Sequence, residues 1–303
     1  MLHHSGTPTT EPAAEQAQHH QPTADQAQHH QPTAEQLQHR KPPLRFDAAS
    51  RPDLALPSAV LPTCNVPHGF GEELAELVAE GIGLPPSADP KAALAKLHTL
   101  PGGQTAQNQR LGRNDRFQKR WHNSMTMHPE FRARLDALLR RFVREAVADA
   151  LEAERHGWGE LVYQAIPSLR IHMPNTRTLS VLHKDFDYFH QAAEVNIWVP
   201  LVPEVGGTNS LYCESAAGAG DYQPFAARFG DLVRFYGNQH THFTRVNETD
   251  VTRVSLDLRV VPAPLYVDDW ASPKGVVAFR LGGYYASTDV RSAERVRTGE
   301  LGE

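Results

Sequence analysis

The chain has 303 residues, with 30 Lys and Arg against 35 Asp and Glu, a formal charge of −5. That length allows one or two domains around a core of useful size, and a mildly acidic balance argues against a general nucleic-acid binder. Two cysteines, Cys64 and Cys213, are too few for a disulfide framework, and neither a run of 18 apolar residues nor a secretory leader pattern is present, so a cytoplasmic protein without membrane contact is expected.

The first 50 residues stand apart in composition. Only 13 of them are apolar or aromatic, and a ten-residue unit recurs as AEQAQHHQPT at 14–23, ADQAQHHQPT at 24–33 and a decayed AEQLQHR at 34–40. The segment reads as a disordered extension. Seven of the 17 histidines lie in it, suited to weak metal binding but not to an ordered active site. One domain is expected over 51–290, helical at 70–156, with a β core at about 160–262, an extension at 263–290 and a flexible end at 291–303.

Helical patterns come first, in Glu72–Glu80 and Pro90–Leu100. The stretch 110–120 carries five basic residues without a clear period and reads as a solvated loop or as a lid over an anion. A long helix is predicted over 129–155. Pro129 suits its first turn, and Phe131, Leu135, Leu138, Leu139, Phe142, Val143, Val147 and Leu151 form an apolar stripe that should pack on a sheet.

After Gly159 short β-type runs follow one another, divided by Pro, Gly and Asn, which points to a mainly antiparallel sheet or barrel. Side chains alternate across a strand. In 168–172, Ser168, Arg170 and His172 therefore share a face, as do Glu194, Asn196 and Trp198 in 194–199, and Arg253, Ser255, Asp257 and Arg259 in 253–260. Either these faces meet solvent, or they line a polar, ligand-holding interior while the helices cover the aliphatic side. The upstream helices need a partner surface, which favours the second arrangement.

His183 and Asp185, two apart in VLHKDFDYFH, would point the same way from a strand and offer half of a metal site. Such a pair is expected about once by chance in a chain so rich in histidine, so context must supply the specificity. The run LVRFYGNQHTHF ends in two histidines, His240 and His242. His242 is the better candidate, because Arg253 and Ser255 follow it by eleven and thirteen residues, where a guanidinium and a hydroxyl suit a distant carboxylate. Two imidazoles and one carboxylate on one side of iron leave three positions open, as an oxygen-activating centre requires.

Through His183-Lys-Asp185, His242 and Arg253-Val-Ser255, the chain from about Ser168 to Pro262 resembles the iron(II)/2-oxoglutarate-dependent dioxygenases. Within that superfamily it is most similar to the streptomycin-cluster type of actinomycete antibiotic pathways, on LRIHMP at 169–174, LHKDFDYFHQAAEVNIWVPL at 182–201, TNSLYCES at 208–215 and NETDVTRVSLDLRV at 247–260. The resemblance implies a mainly β fold with flanking helices, a double-stranded β-helix of the jelly-roll or cupin-like kind. It also implies Fe(II) held by His183, Asp185 and His242, and 2-oxoglutarate and O₂ as cosubstrates, the former going to succinate and CO₂ while a substrate C–H bond is oxidised. Hydroxylation is the default outcome, with desaturation, cyclisation or alcohol oxidation as variants. Arg253 and Ser255 are the expected cosubstrate contacts, with Asn196 and Arg170 beside them.

Asp187, Tyr188, His190, Glu194 and His172 are the expected substrate contacts, with Trp198 as a wall, a set suited to a polar small molecule. Tyr284 and Tyr285 would either close the barrel mouth or simply pack. Two other readings stay open: a barrel metalloenzyme that uses the same ligands without a keto acid, and a non-catalytic metal-binding protein.

Overall fold

The computed structural model describes residues 59–62, 70–101, 116–174, 178–270 and 278–290. The repeat tail, Cys64, Gly102–Gly103, the first part of the basic stretch and the C-terminal 13 residues lie outside them.

Among the described residues seven strands build the main antiparallel sheet, and four helices lie between the first of them and the second. Strand β1 is Ala59–Pro62, followed by α1, Phe70–Gly81, and α2, Pro90–Ala95. The second half of the basic stretch is helical: Arg116–Met127 forms α3, turning Phe117, Trp121 and Met125 inward at i, i+4, i+8. The charges of this segment had masked that stripe. Helix α4, Pro129–Phe142, passes through a π-helical turn, Val143–Val147, and ends at Ala148–Ala150, short of the predicted 155. Phe70 stacks on Phe142 with ring centroids 4.3 Å apart, and Trp121 meets Phe131 edge-on. Between them Gly81 has no room for a side chain, since a Cβ would lie 2.7 Å from the Phe131 ring.

The strands that follow are β2 (Glu160–Gln164), β3 (Ser168–His172), β4 (Val195–Pro200), β5 (Glu204–Val205), β6 (Leu211–Cys213), β7 (Gln223–Pro224), β8 (Ala227–Arg228), β9 (Asp231–Phe235), β10 (His242–Thr244), β11 (Arg253–Pro262) and β12 (Tyr285–Asp289). The main sheet runs β1-β9-β4-β11-β2-β12, with β3 also on β11. It thus takes strands from both sides of the expected core at 160–262. Strands β2 and β3 lie end to end along one edge of the ten-residue β11, pairing with Val260–Pro262 and Arg253–Asp257. The break between them contains Pro167, which cannot donate to a ladder. Smaller antiparallel sheets are β10-β6-β7 and β5-β8.

Register sorts the two faces. Opposite β11, Arg253, Ser255 and Asp257 face His172, Arg170 and Ser168, while Ser255, Asp257 and Arg259 face Pro200, Trp198 and Asn196. The alternate residues, Val254, Leu256, Leu258 and Val260 with Leu169, Ile171, Ile197 and Val199, join the helices' apolar stripes in one core cluster. The polar face is buried too: Asn196, His172, Ser255, Arg253 and Arg259 are all at most 3% exposed. Both faces of these strands are thus buried, the aliphatic one in the core shared with the helices, and neither is an open solvent face. No helix among the described residues is long and apolar enough to cross a membrane.

Candidate metal centre

His183, Asp185 and His242 offer ligand atoms that all lie within 4.8 Å of one another. They do not reach this point as the sequence pattern predicts. His183 sits in a bridge with His242, each backbone N–H donating to the other's carbonyl, at 3.2 and 2.9 Å. Asp185, expected beside it on a strand, instead opens a 3₁₀ turn, Asp185–Tyr188. Asp187 Oδ2 accepts the Lys184 N–H at 3.0 Å to start that turn, and Phe189, at φ +68°, ends it. The turn swings the Asp185 carboxylate towards both rings.

Hydrogen bonds set the tautomers. A carbonyl only accepts, so the contacts from His183 Nδ1 to Val181 O (2.7 Å) and from His242 Nδ1 to His240 O (3.0 Å) place the ring protons on Nδ1. Both Nε2 lone pairs then face Asp185 Oδ1, at 3.8 and 3.7 Å. Three acceptors converge with no donor between them among the described residues. That donor set is one a divalent cation would satisfy. Burial and the neighbouring His242 push the His183 pKa down to about 4, so the ring is neutral and ready to ligate at physiological pH. His240 meets this group through its carbonyl, and the converging set contains His242.

The other oxygen of Asp185 is already used. Oδ2 accepts from Arg259 Nε at 3.0 Å and Asn196 Nδ2 at 2.8 Å. Burial alone would raise the Asp185 pKa, but Arg259 together with His190, His242 and His183 outweighs it and holds the carboxylate ionised. The same pairing keeps Arg259 charged against its own desolvation. Asn196, expected beside the cosubstrate, therefore has its amide directed at the metal ligand. Its Oδ1 takes the Gly237 N–H at 3.2 Å, so neither end is left over. A Cβ on Gly237 would sit 2.7 Å from that oxygen. Gly237→Ala is expected to displace Asn196 and weaken metal binding about 10-fold, checked by titrating metal into folded variant and parent.

A second group of polar atoms lies along β11. Arg253 Nη1 donates to Asn209 O at 3.2 Å, while Arg253 Nε, Ser255 Oγ and both ring nitrogens of His172 are buried without partners among the described residues. The Arg253 guanidinium sits 5.6 Å over the Trp198 ring, so Trp198 walls this group. Burial, then repulsion from Arg170, lowers the Arg253 pKa to about 9, leaving it charged at pH 7. His172 is held neutral, with burial and Arg253 pushing its pKa to about 3. Arg170, paired in register with Ser255, acts electrostatically on both Arg253 and His183 and so is near both groups. The arrangement sets a group of buried, unpartnered polar atoms near the three converging acceptors.

No family model matches the sequence. The streptomycin biosynthesis protein StrG of Streptomyces griseus is 31% identical over 180 residues, which span 58% of this chain and 83% of StrG. The chain belongs to the StrG family. Among solved structures, similarity is found to the non-heme alpha-ketoglutarate-dependent epimerase SnoN from nogalamycin biosynthesis, at 15% identity over 78% of this chain and 95% of SnoN, with a TM-score of 0.38. The non-heme monooxygenase ThoJ in complex with nickel is 15% identical over 80% of this chain and 85% of its own, with a TM-score of 0.36. These scores are too low to establish a shared topology.

In this StrG-family chain the remaining expected contacts divide. Asp187 and Tyr188 are half-buried in the turn that Asp185 opens, with Tyr188 edge-on to His183, ring centroids 5.2 Å apart. His190 and Glu194, expected to touch substrate, are instead locked together: His190 Nδ1 lies 2.8 Å from Glu194 Oε2, and Glu194 Oε1 accepts from Gln191 N and from the Tyr285 hydroxyl. His172, also expected on the substrate side, pairs in register with Arg253 and lies with that group. Arg259 was the functional residue not singled out, although it shares the alternating face with Arg253. Gln164, whose Oε1 holds Arg259 Nη1 at 3.3 Å, ends β2 with no sequence signal of its own.

Glu214 anchors the approach to His242. Its carboxylate accepts from Thr241 N at 2.6 Å and Gly220 N at 3.1 Å. Burial alone would raise its pKa, but these backbone N–H groups and that of Gly218 outweigh it and pull it from 4.5 down to about 2. A depressed carboxylate pKa stabilises the fold fully above the unfolded value, and the contribution is lost as pH falls towards the folded one. The stability gap between parent and Glu214→Gln is therefore expected to be greatest above pH 5 and to shrink towards pH 2, as followed by urea denaturation across that range.

Proposed function

We propose that this protein is an iron(II)- and 2-oxoglutarate-dependent oxygenase of the double-stranded β-helix type, oxidising a polar small molecule in antibiotic assembly. The observation that carries the reading is the convergence of three acceptor atoms, His183 Nε2, Asp185 Oδ1 and His242 Nε2, beside a buried cradle of unpartnered donors. His183, Asp185 and His242 would hold Fe(II), which supplies O₂ activation coupled to decarboxylation of the keto acid. Arg253 and Ser255 bind its far carboxylate, and His172 adds a neutral N–H donor from β3. Arg170 balances the charge between that carboxylate and the metal. Trp198 excludes water beneath Arg253, which strengthens the ion pair the guanidinium makes. Asp187 and Tyr188 face the substrate, for which hydroxylation is the default outcome.

Anaerobic addition of Fe(II) and 2-oxoglutarate tests the assignment through the weak visible charge-transfer band of a metal-chelated keto acid. The band is expected in the parent and absent in His242→Ala. Where the band appears, succinate release in air then identifies substrates for the oxygenase; metal binding without a band would favour a metalloenzyme that needs no keto acid.

A further inference from the structure

The Asp185 carboxylate is used asymmetrically. Oδ1 faces the two imidazoles, while Oδ2 is drawn back by two donors from rigid strands, Arg259 on β11 and Asn196 on β4. Those strands are neighbours in register, with Arg259 opposite Asn196, so both donors approach from one side. Arg259 cannot swing away. Besides Asp185 it is held by Gln164 Oε1 at 3.3 Å, Asp257 Oδ2 at 3.6 Å and Glu194 Oε2 at 3.8 Å, and it is 3% exposed. Glu194 is fixed in turn by His190, Gln191 and Tyr285.

A carboxylate can bind a metal through one oxygen or two. With two imidazoles and one carboxylate oxygen, a six-coordinate ion keeps three open positions, and a chelating carboxylate would leave only two. A bidentate keto acid and a further ligand need all three. We infer that Arg259, aided by Asn196, is a positioning residue that keeps Asp185 a one-oxygen ligand and so preserves the third open position. This rests on the metal-site reading above. A guanidinium that served only as a counterion would leave the number of open positions unchanged when removed.

Mn(II) alone is the probe, and water-proton relaxation per bound ion counts exchangeable waters. The full chain is used, with His183→Ala as background so that ions bound by the histidine-rich tail are subtracted. The parent is expected to show three exchangeable waters, and Arg259→Gln about a third less relaxation per bound ion as Asp185 chelates. Arg259→Lys, which keeps a donor and a charge, is expected to restore most of it. Excess 2-oxoglutarate should then leave one water in the parent and essentially none in Arg259→Gln. Equal relaxation in parent and folded Arg259→Gln overturns the positioning role alone. Absence of any His183-dependent Mn(II) signal in the parent overturns the metal site itself, and the inference with it. Should Arg259→Gln fail to fold, Asn196→Ala removes the neutral donor only: a smaller drop in the same direction supports the inference, and unchanged relaxation overturns it.

Discussion

Asp185→Ala is expected to cost both the metal and part of the fold. The metal is lost because two imidazoles alone make a poor site for a hard divalent cation. The fold suffers for a different reason: Arg259 stays buried with its principal counterion gone, and breaking a buried pair from one side costs about 3–5 kcal/mol. Removing the cation as well should restore most of the stability, since well-packed apolar groups often replace a buried pair without loss. The double variant Asp185→Ala/Arg259→Met is thus expected to recover most of the urea midpoint of the metal-free parent while binding no metal at the site. If Asp185→Ala is as stable as the parent, the pair is not the buried ion pair that its 3.0 Å contact indicates. If the double variant still binds Fe(II) as the parent does, Asp185 is not a ligand.

The elements with a strong period were legible in sequence. Ser168–His172 stands as predicted, and β4 and β11 differ by one or two residues at an end, because each carries an uninterrupted alternation whose apolar half must meet the helices. The metal triad was legible as residues but not as geometry: a 3₁₀ turn and a two-residue bridge carry no periodicity, so Asp185 looked like a strand residue. Contacts made by distant chain were invisible. Glu194 and His190 look like free polar groups until β12, some 90 residues on, brings the Tyr285 hydroxyl to Glu194. Asn196 was placed on the correct face, yet its partner depended on which way the Asp185 turn swung. Arg259 could have been found, for it continues the Arg253, Ser255, Asp257 face, and a buried guanidinium needs an anion. The anion that it serves is the metal ligand.

Arg253 should behave in the opposite way to Asp185. Its Nε has no partner among the described residues and burial lowers its pKa, so in the metal-free protein the side chain carries a desolvation cost. Arg253→Met, of similar length and apolar, is therefore expected to leave the urea midpoint of the metal-free protein unchanged or higher. Binding of 2-oxoglutarate should collapse. Two charge-assisted hydrogen bonds at about 1.5–3 kcal/mol each are lost, so the cosubstrate concentration needed for half-saturation should rise on the order of 100-fold or more. Metal affinity should hold, since Arg253 touches none of the three ligands. The same titration run with Fe(II) first and 2-oxoglutarate second separates the two effects in one sample. A variant that is strongly destabilised yet binds 2-oxoglutarate normally would make Arg253 a structural cation, with Asn209 O as its real partner and the unpartnered Ser255 and His172 requiring another ligand. A variant that is stable, loaded with metal and blind to the keto acid would mean that this buried, unpaired charge is retained for the anion it receives.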